Sequence, residues 1–199
     1  EEVLARALDA FPRLALATSL GPQTLVVLDM LCRMGASVPV FFLDTGVLFP
    51  ETLALRRRVE TRYGLAIEAV AAPGSSTSSA PWTSDPAGCC ARRKGDPLRA
   101  RLQGLDAWIT GLRRDQSSTR DGVRPIAWDP LHRLVKVSPL AHWSREQVLA
   151  YASAHDVPLN PLLDQGFRSV GCWPCTTPVA AHETDERAGR WRGSDRTEC

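Results

Sequence analysis

Short apolar runs alternate with helical patterns along the first third of the chain, and this alternation constrains the fold more than any other feature. Residues 14–18, 38–44 and 65–70 are apolar runs of strand length. Between them, residues 24–34 are apolar on nearly every side, and the segment that begins at Pro50 has apolar residues at helical spacing. Strands joined through helices pair in parallel by right-handed crossovers. The sequence therefore predicts an α/β fold with an open, mostly parallel sheet flanked by helices.

The pattern continues less regularly after residue 72. The stretch 73–88 is rich in Pro, Gly and Ser, which predicts a mobile surface loop. A helix is predicted over 89–103, although Gly95 and Pro97 must kink or break it. Further strands are predicted at 107–112, 125–128 and 134–137.

Two more signals concern helix ends and domain number. Ser144 and Gln147 have the spacing of a capping box, which marks the start of a further helix. Beyond Pro158 the sequence shows little periodicity, and no linker is long enough to separate two domains. A single domain is therefore expected.

Size and charge exclude several classes of protein. The chain has 199 residues, 44% of them hydrophobic, which suffices for one domain that buries about 70% of its unfolded surface. No apolar run approaches the roughly 20 residues that span a bilayer. A net charge of +2 is too small to indicate nucleic acid or a membrane surface as a partner. We expect a cytoplasmic protein that binds neither.

Polar turns follow the first two predicted strands. Residues 18–24 read TSLGPQT and residues 43–46 read LDTG. Free backbone N–H groups and the positive end of a helix dipole can hold an anion at such a turn. Two polar strand ends side by side are where an open parallel sheet binds ligands. An ordinary surface turn is the alternative for either stretch taken alone.

Arginine supplies nearly all of the positive charge, since Lys94 and Lys136 are the only lysines among 24 basic residues. Arginine binds phosphate and sulfate through two parallel hydrogen bonds; codon bias is the simpler explanation of its abundance. The stretch 111–120, GLRRDQSSTR, suits a loop around a polyanionic nucleotide, with a solvated surface loop as the alternative. The clustered arginines that are candidates for an anion site are Arg113, Arg114, Arg120, Arg187, Arg190, Arg192 and Arg196.

Four of the six cysteines form two pairs. Cys89 and Cys90 are adjacent, and Cys172 and Cys175 lie two residues apart in GCWPCTTP. Four thiolates can hold zinc or a 4Fe-4S cluster. Adjacent cysteines are unusual for structural zinc, so the spacing favours iron-sulfur, with unligated core or redox cysteines as the alternative. Lys94 could face such a cluster from the helix that carries the first pair.

The other two cysteines differ in their surroundings. Cys32 lies in an apolar helix and is expected to be a core residue. Cys199 ends a polar tail with Arg196 nearby, and a neighbouring arginine stabilises the nucleophilic thiolate. An incidental terminal cysteine is the alternative.

These motifs occur in an order that resembles one enzyme family. The chain resembles the assimilatory adenylyl-sulfate (APS) reductases of bacteria and plants, within the wider phosphoadenylyl-sulfate (PAPS) reductase family. The motifs that carry the resemblance are TSLGPQT, LDTG, CC followed by Lys94, GLRRDQSSTR, KVSPL, GCWPCT, RAGRW and the final EC. The resemblance covers residues 14–199. Because PAPS reductases generally lack the four-cysteine set, it implies APS as the substrate and a 4Fe-4S cluster as the cofactor.

The resemblance also implies roles for single residues. The cluster ligands would be Cys89, Cys90, Cys172 and Cys175. Substrate binding would involve Ser19, Gly21, Leu43, Asp44, Thr45, Gly46, Arg113, Arg120, Arg187 and Arg190. The catalytic residues would be Cys199, as the nucleophile, and Lys94.

The implied fold and chemistry follow the same family. The fold would be adenine-nucleotide alpha-hydrolase-like (ATP-pyrophosphatase-like), with residues 1–181 forming the nucleotide-binding and iron-sulfur reductase domain and 182–199 a mobile C-terminal tail. The Cys199 thiolate would attack the sulfate sulfur of APS and release AMP, and thioredoxin would then reduce the S-sulfonated cysteine to free sulfite. Thioredoxin is thus the implied partner and electron donor, and a homo-oligomer is left open.

Three other functions compete with this interpretation. A PAPS reductase would use the 3'-phosphorylated substrate. A sulfurtransferase of the ATP-pyrophosphatase type would hydrolyse ATP, but the first turn, SLGPQT, departs from the SGG-x-D-S loop of those enzymes. A non-catalytic nucleotide-binding or metal-sensing module would hold zinc on four cysteines and leave Cys199 inert.

Overall fold

The computed structural model describes residues 1–72, 81–180, 182–183 and 185–192. Six strands form one sheet: β1 (Leu14–Ala17), β2 (Val40–Asp44), β3 (Ile67–Ala71), β4 (Ala107–Ile109), β5 (Ile126–Asp129) and β6 (Leu134–Val137). Their order is β3-β2-β1-β4-β6-β5. All neighbours pair in parallel except β5, which pairs antiparallel with β6 at the edge. The predicted fold class is confirmed.

Seven α-helices are described in these ranges: α1 (Glu2–Ala10), α2 (Pro22–Arg33), α3 (Pro50–Tyr63), α4 (Pro81–Ser84), α5 (Pro86–Cys90), α6 (Asp96–Leu102) and α7 (Arg145–Ala154). Proline in the first turn starts α2 and α3, where its missing N–H has no helical partner to lose. The capping box at Ser144 and Gln147 is confirmed at the start of α7. Of the described helices, none has the length and apolarity that crossing a bilayer requires.

Two segments differ from the sequence prediction. Of the loop predicted over 73–88, residues 73–80 lie outside the described residues. The prediction is wrong for 81–88, because α4 and α5 occupy most of that stretch, and Asp85 caps α5 by accepting a hydrogen bond from Gly88 N at 2.8 Å. The helix after Cys89 neither breaks nor ends at Gly95. It widens into a π-helix over Ala91–Gly95, which then continues as α6 with Pro97 in its first turn.

The core is divided unequally between the two faces of the sheet. On one face, α1, α2 and α7 contribute to a large apolar cluster around Leu16, Val26 and Ile109. On the other face, a smaller cluster surrounds Phe41 and Trp108. Since both faces are covered, the central parallel strands are apolar throughout, which is why the sequence identifies them well.

One buried carboxylate forms hydrogen bonds that connect helices α2, α3 and α7 on the face of the sheet with the larger apolar cluster. Asp29 on α2 accepts hydrogen bonds from the hydroxyls of Tyr63 (3.0 Å) and Tyr151 (2.8 Å) and pairs with Arg33 at 2.8 Å. Burial, followed by the charge and hydrogen bond of Asp29, raises the pKa of Tyr151, and burial raises the pKa of Tyr63 to about 12. Both phenols therefore stay protonated and can donate to Asp29 at neutral pH.

Candidate functional site

The sheet has a topological switch point between β1 and β4. From β1 the chain moves outward through β2 and β3, and then returns to place β4 on the other side of β1. In open α/β sheets ligands bind outside the carboxyl ends of the strands at such a point. The sequence prediction paired the ends of β1 and β2, whereas the switch point pairs the turn after β1 with the loop after β4.

The turn after β1 presents a helix N-terminus to solvent. Leu20 N donates a hydrogen bond to Thr18 Oγ1 at 2.9 Å, and Thr18 Oγ1 donates to Thr24 Oγ1 at 2.9 Å. Leu20 has φ +56°, a conformation that non-glycine residues rarely adopt. The resulting tight turn leaves Ser19 exposed, with Gly21 as the N-cap of α2. Free N–H groups at the start of a helix this long can hold an anion.

The loop after β4 lies directly against this helix start. A Cβ atom on Gly111 would lie 2.7 Å from Gln23 Cγ, 2.7 Å from Thr24 Cγ2 and 3.0 Å from Thr24 N. A side chain at Gly111 would therefore have to push the loop away from α2. Glycine here allows the 111–120 loop to approach the turn after β1, as the predicted nucleotide site requires.

The arginines of the 111–120 loop have different surroundings. Arg113 is 1% exposed, and its guanidinium pairs with Asp115 and, at 2.9 Å, with Glu186. Arg120 is partly exposed and donates to the side-chain oxygen of buried Gln116. Arg120 is thus the more accessible of the two predicted substrate-binding arginines.

The turn after β2 joins the sheet to the second cysteine pair. Gly46 N donates to Asp44 Oδ1 at 2.9 Å, and Gly46 has φ +71°. This turn buries Thr45, whose Oγ1 lies 3.3 Å from Cys172 Sγ. Leu48 also forms an isolated antiparallel bridge with Cys172. The LDTG turn therefore lies between the predicted substrate crevice and the cysteines.

The cysteine pairs are largely buried. Cys89, Cys90 and Cys172 are buried and Cys175 is partly buried, all as free thiols. Burial raises the pKa of Cys89, opposed by the charge of Arg93, and burial followed by the charges of Cys172 and Cys89 raises the pKa of Cys175. The charges of Cys89, Cys172 and Cys175 thus act on one another. Within the described residues, no group of three or more His, Cys, Asp or Glu is arranged as a set of ligands for one metal ion.

Two cations lie beside these thiols on the π-helix. Arg93 is buried, and its Nη1 donates to the backbone oxygen of Thr45. Lys94 is partly buried, and its charge acts to lower the pKa of Cys89 and of Cys175. The sequence reasoning singled out Lys94 and missed Arg93. The position of Arg93, four residues after Cys89 on the same helical path, is the signal that could have found it.

The RAGRW segment packs on the second cysteine pair. Trp191 N donates to Cys175 O at 3.0 Å. The guanidinium carbons of Arg187 and Arg190 lie 5.2 Å and 4.5 Å from the centre of the Trp191 ring, within the range of cation–π contact. A Cβ atom on Gly171 would lie 2.3 Å from Arg190 Nη2, so glycine makes room for this guanidinium next to Cys172.

Buried hydroxyls at the strand ends were also missed. Thr110, after β4, and Ser138, after β6, join through their hydroxyl oxygens at 3.0 Å. Single Ser and Thr residues are common at strand ends, so the sequence carries no distinctive signal for this pair. The two hydroxyls add polar groups at the carboxyl end of the sheet.

The predicted site residues thus fall into two connected groups. Ser19, Gly21 and the 111–120 loop lie together at the switch point, while Thr45, the cysteines and the RAGRW segment form the second group. Arg113 and Glu186 link the groups. Cys199 lies outside the described residues, so its placement stays a prediction, as does the division between a domain and a tail at residue 181.

Comparisons with known proteins agree with the motifs. Residues 13–178 match the family described as the phosphoadenosine phosphosulfate reductase domain. The chain is 44% identical to a phosphoadenosine 5'-phosphosulfate reductase of Gloeobacter violaceus, over 100% of this chain and 86% of that protein. It is also 44% identical to an adenosine 5'-phosphosulfate reductase of Deinococcus radiodurans, over 100% of this chain and 79% of that protein.

A solved structure extends the likeness to three dimensions. The crystal structure of a phosphoadenylyl-sulfate reductase from Candida auris, in complex with phosphate, superposes with a TM-score of 0.80 at 30% identity. The match covers 89% of each chain. The described fold is therefore similar to that of a phosphoadenylyl-sulfate reductase.

Proposed function

Since the chain belongs to the phosphoadenosine phosphosulfate reductase family, we propose that it reduces adenosine 5'-phosphosulfate (APS) to sulfite and AMP with electrons from thioredoxin. The observation that carries the choice of APS is the set of four cysteines in two pairs, with the cations Arg93, Lys94 and Arg190 near them. The reaction belongs to the oxidoreductases that act on sulfur, in the assimilation of sulfate.

The substrate would lie along the carboxyl edge of the sheet. The start of α2 and Arg120 suit the nucleotide, because backbone N–H groups and a guanidinium stabilise phosphate oxygens. The sulfate would lie near the cysteine pairs. The cations on that side of the site, which suit an anion, are Lys94, Arg187 and Arg190. Concentrated positive charge is needed there because both the sulfate and an attacking thiolate are anionic.

The proposed chemistry has two steps. The Cys199 thiolate attacks the sulfate sulfur, a bond forms between the two sulfur atoms, and the bond from sulfur to the phosphate oxygen breaks. AMP leaves with that electron pair. A thioredoxin thiolate then attacks Cys199 Sγ and expels sulfite, and the second thioredoxin thiol resolves the mixed disulfide. Thioredoxin supplies both electrons and ends as a disulfide.

The residue types fit a 4Fe-4S cluster, because the chain offers four cysteine thiols in two pairs and the cations Arg93 and Lys94 act on Cys89. Cys89, Cys90, Cys172 and Cys175 would be its ligands. When bound, the cluster would supply charge and structural order next to the sulfate, while the electrons come from thioredoxin. Cytosolic conditions, which keep thiols reduced, suit both the cluster and the nucleophile.

The main test follows the nucleophile by mass spectrometry. The protein is mixed with APS without reductant, and we expect the C-terminal peptide to gain the mass of one SO3 group while AMP is released. Cys199→Ser is the control and should gain nothing. An unmodified C-terminal peptide, or equal labelling of the control, would contradict the proposed step.

A second measurement separates the competing functions. Iron and acid-labile sulfide are expected in the purified protein, whereas zinc alone would favour the non-catalytic module. PAPS is expected to compete weakly with APS. Equal or faster turnover of PAPS would make the protein a PAPS reductase, and release of pyrophosphate from ATP would point to a sulfurtransferase.

A further inference from the structure

The most deeply buried cation of the described residues is not explained by direct substrate contact. Arg113 was expected to bind the substrate, yet its side chain is 1% exposed. Its Nη2 donates to both carboxylate oxygens of Glu186, at 2.9 Å and 3.1 Å. Its Nη1 donates to Asp115 and to the backbone oxygen of Trp143 at 3.3 Å. Both terminal nitrogens of the guanidinium are therefore used inside the protein.

The partners of Arg113 come from distant parts of the chain. Arg113 and Asp115 belong to the loop at the switch point, and Glu186 lies 73 residues further along, directly before Arg187. Arg145 at the start of α7 reinforces the link, since its Nη1 lies 3.4 Å from Glu186 Oε1 and its backbone N donates to Asp115 Oδ2 at 2.8 Å. Two carboxylates thus balance two guanidinium groups.

Glu186 opens a short turn that is held at both ends. Arg190 N donates to Arg187 O at 2.8 Å, which closes the turn. At its far end, Thr177 N donates to Gly189 O at 2.8 Å and Trp191 N donates to Cys175 O, which attaches the turn to the cysteine pair. At its N-terminal end, the turn is attached to the switch-point loop by the ion pair between Glu186 and Arg113.

We propose that Arg113 and Glu186 form a clasp that positions Arg187 and Arg190 over the substrate crevice, and that neither residue contacts the substrate. The inference rests on the proposed function for the identity of the ligand. It replaces the expected role of Arg113 as a binding residue with that of a positioning residue. The clasp sets the distance between the nucleotide end and the sulfate end of the site, because it joins the loop at one end to the arginines at the other.

A double-mutant cycle tests the clasp. Arg113→Lys keeps the charge but loses the two-pronged hydrogen bonding, and Glu186→Gln keeps the size but loses the charge. Both are made in the Cys199→Ser background, and APS affinity is measured by calorimetry. We expect each single change to weaken binding by about tenfold and the double change by about tenfold as well, because both remove the same link. Additive weakening, about a hundredfold, would mean that Arg113 contacts the substrate independently and would overturn the inference, as would no weakening at all.

Two controls separate positioning from general damage. Glu183→Gln removes a partly exposed ion pair with Arg192 (3.0 Å) in the same segment and should leave APS affinity unchanged. In the enzyme with Cys199 intact, the clasp variants should raise KM more than they lower kcat, whereas partial unfolding would lower kcat and leave KM unchanged. If Glu186→Gln fails to fold, Glu186→Asp takes its place, and the same non-additivity is expected.

The clasp and the proposed function can fail separately. If the wild-type protein binds no APS, the proposed function fails, and amide hydrogen exchange of the ligand-free protein still decides the clasp. Faster exchange at Arg190 and Trp191 in both single variants would support it. Unchanged exchange at these two amides would overturn it.

Discussion

The body of the sheet and the segment 161–192 are stabilised in different ways. The strands and helices of the body enclose apolar clusters on both faces, with residues such as Leu16, Phe41 and Ile109 fully buried. The described part of the later segment contributes few buried apolar side chains, among them Leu162 and Trp191. It is attached through backbone pairing, ion pairs and its cysteines. The comparison indicates that the segment with Arg187 and Arg190, which we propose bind sulfate, depends on polar contacts and, as also proposed, on a cluster.

The largest expected effect tests this dependence directly. Cys172→Ser is expected to remove the cluster and abolish sulfite formation, while the body stays folded because its apolar core is untouched. Iron content, turnover and far-UV circular dichroism check the three parts of the prediction. Cys32→Ser, a change at a partly buried cysteine on α2, should leave iron and turnover intact. Full activity in an iron-free Cys172→Ser protein would show that the later segment does not depend on a cluster.

The next effect concerns the body. Phe41→Ala is expected to lower the free energy of unfolding by about 3–5 kcal/mol, because Phe41 is completely buried in the smaller cluster. Urea unfolding measures the change. Leu131→Ala, at a side chain that is 69% exposed, should change it by less than about 0.5 kcal/mol. Similar effects of the two changes would mean that the smaller cluster contributes little to stability.

A smaller effect is expected where the later segment packs backbone against backbone. A Cβ atom on Gly189 would lie 2.1 Å from Thr177 O, so Gly189→Ala must displace one of the two backbone segments. We expect a loss of about 1–3 kcal/mol in unfolding free energy, with a rise in the KM for APS. Gly95→Ala is the matched control, since a Cβ atom there would meet nothing within 4 Å apart from its own helix and chain neighbours. Unchanged stability and KM in Gly189→Ala would show that this pairing is loose.

The smallest expected effect is a pH dependence in the body. The pKa of Tyr63 is raised to about 12, so the folded state holds this proton more tightly than the unfolded state, whose phenol titrates near 10. The stability that comes from burying the protonated phenol and from its hydrogen bond to Asp29 is therefore complete below pH 10 and is lost as the pH rises toward 12. The expected loss is about 1 kcal/mol, less than two pKa units would give, because the phenol is only half-buried. Urea midpoints at pH 9 and pH 11 measure it, and Tyr63→Phe should show a smaller decline than the wild type.

The accuracy of the sequence prediction differs between the sheet with its long helices and the stretch 81–95. The parallel strands, α2, α3 and the capping box of α7 follow from short-range patterns, because apolar periodicity and helix caps are local properties. The π-helix over Ala91–Gly95 and the helices within 81–90 were not predicted, since Gly and Pro indicate a break unless packing supports the helix. The sequence motifs also predict the cysteines and arginines of the candidate site.

The surroundings of individual side chains could not be obtained in this way. Arg113 and Arg120 lie in one motif with the same chemistry, yet Arg113 is buried against Glu186 and Arg120 remains partly exposed. The choice depends on a carboxylate 73 residues away. The same holds for Arg93, whose partner Thr45 lies 48 residues before it.

The sequence alone determined the α/β class, the candidate ligands and the family likeness, because these depend on residue type and spacing along the chain. Only the tertiary structure decided that the switch point lies between β1 and β4, that Gly111 brings its loop onto α2, and that Arg113 pairs with Glu186. These facts depend on which distant segments meet. A pattern along the chain specifies which face of an element is buried, but the partner that covers it is set by the packing of the whole fold.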